Sequence, residues 1–182
     1  MTARLHYGAA AKLLHWVTAG LLAVQLPLGW LMPDIRRNMT PGTAMALHVS
    51  LGITILLLMT LRLVWRLVRP VAPEPGLPRW QRLGSGLVHR LLYAAVLLTT
   101  VSGWFYASFR GWSILIYAVA PMPHLAAQGS ALGRSIGNLH SALGWILLGL
   151  IGIHIAAALV HLLIYRDRVM QRMLPAGWTS PA

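Results

Sequence analysis

Histidine is the residue whose chemistry and placement stand out in this chain. There are eight, against no cysteine and only three carboxylates in 182 residues. A neutral imidazole can ligate a metal, exchange hydrogen bonds, or move a proton near neutral pH. The lack of cysteine excludes disulfide frameworks, thiolate zinc sites and iron–sulfur clusters. His6 and His124 fall outside the long apolar runs and read as solvated loop residues. His15, His48, His89, His140, His154 and His161 fall within those runs or at their ends. An ionisable side chain at membrane depth is costly, so each of the six points to function.

The elements that position them follow from composition. The chain is 57% hydrophobic and 10% charged, against about 25% charged in an ordinary soluble domain. Its mean hydropathy is +0.66. Such a chain cannot cover a water-facing surface with polar groups. A net charge of +12 invites a nucleic-acid reading. That reading fails because a nucleic-acid binder carries its cations on a soluble face, and here they separate apolar runs. No nucleic-acid partner is expected; the lipid bilayer is.

A membrane helix needs roughly 20 apolar residues. Four runs qualify, at about 13–32, 44–64, 88–109 and 139–165, within one domain spanning 1–182. Pro70, Pro73, Pro75 and Pro78 break the middle loop. The apolar stretch from Trp112 to Ala120 is too short to span and reads as interfacial. The first run begins late, contains a histidine and lacks a small-residue cleavage site, so it is not read as a cleaved signal peptide. Eleven of the 15 Lys and Arg lie in the N-terminal tail, the middle loop with its helix ends, and the C-terminal tail. Arg36, Arg37, Arg110 and Arg134 lie on the other side. By the positive-inside rule this predicts an all-α, four-helix transmembrane bundle with both termini cytoplasmic.

Depth then pairs the histidines. His140 and His154 are separated by about 21 Å along one helix and differ by roughly 40° in facing. Two histidines on one face, one near each end of a span, suit two haems stacked across a bilayer. Helix 1 runs inside to outside, which places His15 toward the inside. Helix 2 enters from outside, which places His48 toward the outside. The depth-matched pairs are His15 with His154 and His48 with His140. Four imidazoles then serve two six-coordinate irons, suited to one-electron transfer rather than oxygen binding. Gly52 and Gly144 each follow a histidine by one turn and give a flat porphyrin room to approach.

His89 and His161 fall on the inner side and are not needed as ligands. They suit an interfacial helix end, a haem propionate partner, or a site for a quinone or small oxidant beside the inner pair. A quinone carbonyl needs a hydrogen-bond donor, and its reduction needs protons; histidine supplies both. Arg82 and Arg90 could hold an anionic oxygen there. Arg36, Arg37 and Arg110 form a candidate second small site on the outer face.

Several stretches resemble the bacterial cytochrome b561 family over nearly the whole chain. They are Leu13-Leu14-His15-Trp16, Leu47-His48-Val49-Ser50-Leu51-Gly52 and Leu87-Val88-His89-Arg90-Leu91-Leu92-Tyr93. The strongest is His140 through Gly152-Ile153-His154 to His161, with Tyr165-Arg166-Asp167 and Met173-Leu174-Pro175 in the tail. The resemblance implies a bacterial inner-membrane protein with two b-type haems on His15, His48, His140 and His154. Some family members pass electrons from superoxide to ubiquinone, which implies a quinone pocket at or near His89 and His161.

The expectation is a dihaem b-type cytochrome that moves electrons from an outer donor, with superoxide the leading choice, to ubiquinone. Its first rival is a cytochrome b anchor subunit relaying electrons for a separate dehydrogenase or hydrogenase. That rival predicts co-purification with a soluble redox partner protein. The second is a four-helix transporter or scaffold whose histidines bind a metal or carry protons. That rival predicts no haem absorbance.

Overall fold

The computed structural model describes residues 7–32, 41–72, 74, 76–129 and 131–174. Four long helices dominate: α1 (Ala9–Leu31), α2 (Thr43–Val68), α3 (Arg79–Arg110) and α4 (Leu132–Val160). All four are long and apolar enough to cross a membrane. A single π-helical turn, His161–Tyr165, extends α4. Between α3 and α4 lies a short antiparallel hairpin, β1 (Leu115–Ile116) paired with β2 (Ala120–Pro121).

Two boundaries differ most from expectation. Helix α3 starts at Arg79 and α4 at Leu132, well before the apolar runs near 88 and 139. Hydropathy marks the part of a helix that faces lipid, whereas hydrogen bonding carries the helix on into polar surroundings. Pro78 takes the N-cap position of α3, where its missing N–H costs nothing. His89 therefore sits in the third turn of α3 rather than at its start. The stretch read as interfacial forms the hairpin, which leans on α2. The Tyr117 backbone N–H donates to Ser50 Oγ at 3.0 Å, and the Tyr117 hydroxyl lies 2.6 Å from Thr54 Oγ1.

Hydroxyl side chains inside the spans satisfy themselves locally. Thr18, Ser50, Thr99 and Ser108 each donate to the carbonyl four residues back, so none adds an unmet donor to the hydrocarbon region. The closest helix pair is α3–α4. It carries Gly133 and Gly137 on α4, and a Cβ at those positions would press on Phe109 and Tyr106. Small residues of this kind let membrane helices approach closely. Between α1 and α4 the backbones stay further apart, and rings bridge the seam. Trp30 stacks on Trp145 with centroids 4.8 Å apart.

A seven-residue step runs through all four helices and orders the interior into levels. The middle level is Leu22, Ile55, Val96 and Leu147. Ile55, Val96 and Leu147 are fully buried, and Leu22 packs against their cluster. One step toward one end lie Gly29, His48, Gly103 and His140; one step the other way lie His15, Arg62, His89 and His154. Each step is two helical turns, about 10 Å, so an apolar layer separates two polar ones.

The loops sort by end as the sequence predicts. Lys12 Nζ donates to Leu174 O at 2.6 Å, and Trp16 Nε1 to Met173 O at 2.8 Å. Arg172 donates to Ala72 O at 2.6 Å and pairs with Glu74 at 3.3 Å. The N-terminal segment, the middle loop and the C-terminal segment therefore meet at one end of the bundle, called here the inner end. The hairpin closes the other, outer end.

Candidate functional site

Within each polar level the structure brings together the histidines that depth had paired. The ring centroids of His15 and His154 are 6.2 Å apart, with planes at 78°. Those of His48 and His140 are also 6.2 Å apart, with planes at 90°. Two imidazoles on opposite sides of a metal, with metal–nitrogen bonds of about 2 Å, place their ring centres roughly 6 Å apart. Both pairs therefore have the spacing that two imidazoles holding one metal between them would need.

The outer pair is held by one backbone carbonyl and by neutral side chains. His140 Nδ1 lies 2.9 Å from Thr99 O, to which it donates. That bond fixes the tautomer and leaves Nε2 as the free nitrogen, the usual second-sphere arrangement of a metal-binding histidine. On His48, Nε2 lies 3.4 Å from Gln25 Nε2, which also donates to His48 O at 2.9 Å, and the buried Nδ1 is the ring nitrogen with no hydrogen-bond partner among the described residues. Each ring also rests edge-on against a glycine of the neighbouring helix. A Cβ at Gly103 would come within 2.8 Å of His140 Cε1, and one at Gly29 within 3.0 Å of His48 Cε1. Gly144 faces open space, whereas Gly52 faces Gln25.

The inner pair has a different setting. Where the outer level has glycine on two helices, the inner level has Arg62 on α2 and His89 on α3. Arg62 Nη2 lies 3.0 Å from His15 Nδ1, and its guanidinium covers the Tyr93 ring at 5.5 Å. The His89 ring sits 5.3 Å from that of His154. A cavity of about 270 Å³ opens here. Its polar lining includes His15, His89, His154, Arg62, Arg66 and Arg69. No carboxylate is among its lining residues, so it favours anionic or electron-rich groups.

Not all the expected inner residues join this cavity. Arg82 donates to Leu77 O at 3.1 Å on the exposed side of α3, and Arg90 is exposed; neither lines it. His161 lies two turns below His154 and pairs with Asp167 instead. Arg62, Arg66 and Arg69 had counted only as topology charges. Their spacing of four and three residues on one helix, toward a histidine-bearing end, was the available signal. At the outer end, Arg110 donates to the Tyr106 hydroxyl at 3.1 Å and covers the Trp112 ring at 4.9 Å. Arg36 and Arg37 lie outside the described residues.

Comparison with known proteins places nearly the whole chain in one family. The family model of prokaryotic cytochrome b561 matches residues 6–176. Cytochrome b561 homolog 2 of Escherichia coli (strain K12) is 28% identical over 170 residues, covering 92% of this chain and 90% of its own. Cytochrome b561 homolog 1 of the same strain is 30% identical over 172 residues, covering 89% and 93%. The probable superoxide oxidase CybB of Yersinia pestis is 28% identical over 167 residues, covering 89% and 92%.

Proposed function

The chain belongs to the prokaryotic cytochrome b561 family of membrane electron-transfer cytochromes, and on that premise we propose that it carries electrons across the bacterial inner membrane from a small outer donor to ubiquinone. The membership implies b-type haem; we assign two per chain. His48 and His140 hold the outer one, and His15 and His154 the inner one. The observation that carries this reading is the repeat of one geometry, a 6.2 Å imidazole pair, at two levels of one bundle.

When bound, each haem would supply a one-electron couple. The chain's own residues do the rest. Thr99 O fixes the His140 tautomer, and the two glycines fix where the outer rings lie. Ile55, Val96 and Leu147 exclude water between the levels, which keeps protons from following electrons through the bundle. Arg62 and His89 confine polar chemistry to the inner end, where quinone reduction requires protons. His89 and His161 are the candidate quinone contacts, and Arg82 and Arg90 remain candidates at the rim of that end.

Superoxide is the proposed donor. The name of the Yersinia pestis relative supports it, and so does Arg110, a cation held between aromatic faces at the outer end. Such a cation attracts a small anion. The loops that meet at the inner end carry most of the positive charge, which supports a cytoplasmic location for both termini.

The test is a purified holoprotein with quantified haem. Two b-type haems per chain are expected, both reduced on addition of superoxide and reoxidised by ubiquinone. One haem or none per chain overturns the assignment. Two haems that superoxide fails to reduce overturn the donor.

A further inference from the structure

The seven-residue step continues below the inner histidines. Its next positions are Gly8, Arg69, Arg82 and His161. Gly8 and Arg69 line the inner cavity. His161 lies on nearly the same face of α4 as His154, two turns further toward the inner end.

The backbone around His161 is unusual. Helix α4 passes there into a π turn, a feature often found at functional sites. Arg166 then takes a left-handed conformation with φ 52°, which is strained for a residue with a Cβ. Together these fold the chain back so that Asp167 Oδ2 lies 2.5 Å from His161 Nδ1. The other carboxylate oxygen accepts the Val169 N–H at 3.0 Å, so the carboxylate is itself held in place. No other hydrogen bond to the His161 ring is seen among the described residues, which leaves Nε2 open. One of only three carboxylates in the chain is thus placed on a histidine at the end of a membrane span. On its far side Asp167 lines a groove of about 490 Å³ between the middle loop and the C-terminal turn.

We propose that Asp167 is a positioning residue: it locks the His161 ring so that Nε2 hydrogen-bonds the headgroup oxygen of a membrane-soluble quinone bound below the inner histidine pair. The proposal rests on the inner end being the quinone end. A carboxylate on one ring nitrogen sets both the tautomer and the direction of the other. A ring so held loses little freedom when it meets its ligand.

The experiment uses chemically reduced holoprotein reoxidised by a short-chain ubiquinone at increasing concentration. Asp167→Ala and His161→Ala are each expected to raise the half-saturating concentration about tenfold, the loss of one good hydrogen bond. Haem content and the reduced spectrum should hold. Asp167→Asn keeps an oxygen that accepts the Nδ1–H and should restore the half-saturating concentration. The double alanine variant should match His161→Ala, because Asp167 acts through that ring. An Asp167→Ala protein that saturates like the parent overturns the proposal, and so does an Asn variant no better than Ala. If Asp167→Ala does not assemble, Asp167→Asn and His161→Gln carry the test, with only Gln expected to raise half-saturation. A parent protein that quinone fails to reoxidise overturns the acceptor assignment itself, a result distinct from saturation that is insensitive to both residues.

Discussion

The outer and inner histidine levels are built on the same four helices at the same seven-residue step, yet they surround their imidazoles differently. At the outer level, α1 and α3 contribute Gly29 and Gly103, which offer only hydrogen atoms to the rings of His48 and His140. At the inner level, the non-pairing positions on α2 and α3 hold Arg62 and His89, and a cavity opens beside them. A site that needs only to hold a redox group can be closed with glycine and backbone. A site that must also meet a second molecule needs donors, charge and space. On the proposed function, this contrast supports proton-coupled chemistry at the inner end and electron entry at the outer end.

Separating the two levels by ligand removal should give the largest effect. His140→Ala and His154→Ala are each expected to lose about half of the bound haem, from opposite levels, since ligand loss weakens metal binding strongly. Pyridine extraction with low-temperature spectra reads this, and equal loss of both spectral components would merge the levels into one cooperative site. Next comes Gly103→Ala, whose Cβ must displace His140. It should lower outer haem occupancy several-fold with the inner spectrum unchanged, and Gly29→Ala should act in the same direction more weakly. Leu147→Ala serves as the control that ignores the distinction. It opens a void between the levels and should cost about 2–5 kcal/mol, read as lower thermal stability with both haem signals fading together.

Arg62→Leu should act on the inner level alone. A cation beside a haem disfavours the more positive oxidised state, so its loss should lower the inner midpoint potential by on the order of tens of millivolts. Redox titration that shifts both potentials equally would remove the electrostatic difference drawn between the levels. The smallest effect belongs to Arg110→Gln. Reduction by superoxide should slow a few-fold, with a weaker dependence on salt, because steering by one partly buried cation near the surface is screened. Unchanged salt dependence would leave Arg110 a packing residue.

Much of this architecture can be read from the chain before folding, and the limits are instructive. The spans follow from hydropathy, and the pairing of His15 with His154 and His48 with His140 follows from direction and depth. The glycines opposite the outer rings do not stand out, because glycine is common in membrane helices for packing alone. Only register across helices shows that Gly103 meets His140 while Gly144 meets nothing. Arg62 is similarly ambiguous: the charge that orients the chain also touches His15. The early start of α3 escapes hydropathy because its first turns carry Arg79, Gln81 and Arg82. That start shifts His89 into the bundle and onto His154.

The apolar layer of Leu22, Ile55, Val96 and Leu147 has an energetic consequence at the scale of the whole cell envelope. The outer and inner levels lie 14 residues apart on α4, about 21 Å along the helix axis. The hydrocarbon core is about 30 Å thick, so a charge passing between them crosses roughly two-thirds of it. Such transfer is electrogenic. An electron moving inward opposes an inside-negative potential, at about 1.5 kcal/mol for every 100 mV. On the proposed assignment of two haems, each turnover would be coupled to the energised state of the membrane, and the electron's distribution between the two ends would shift with the voltage across it.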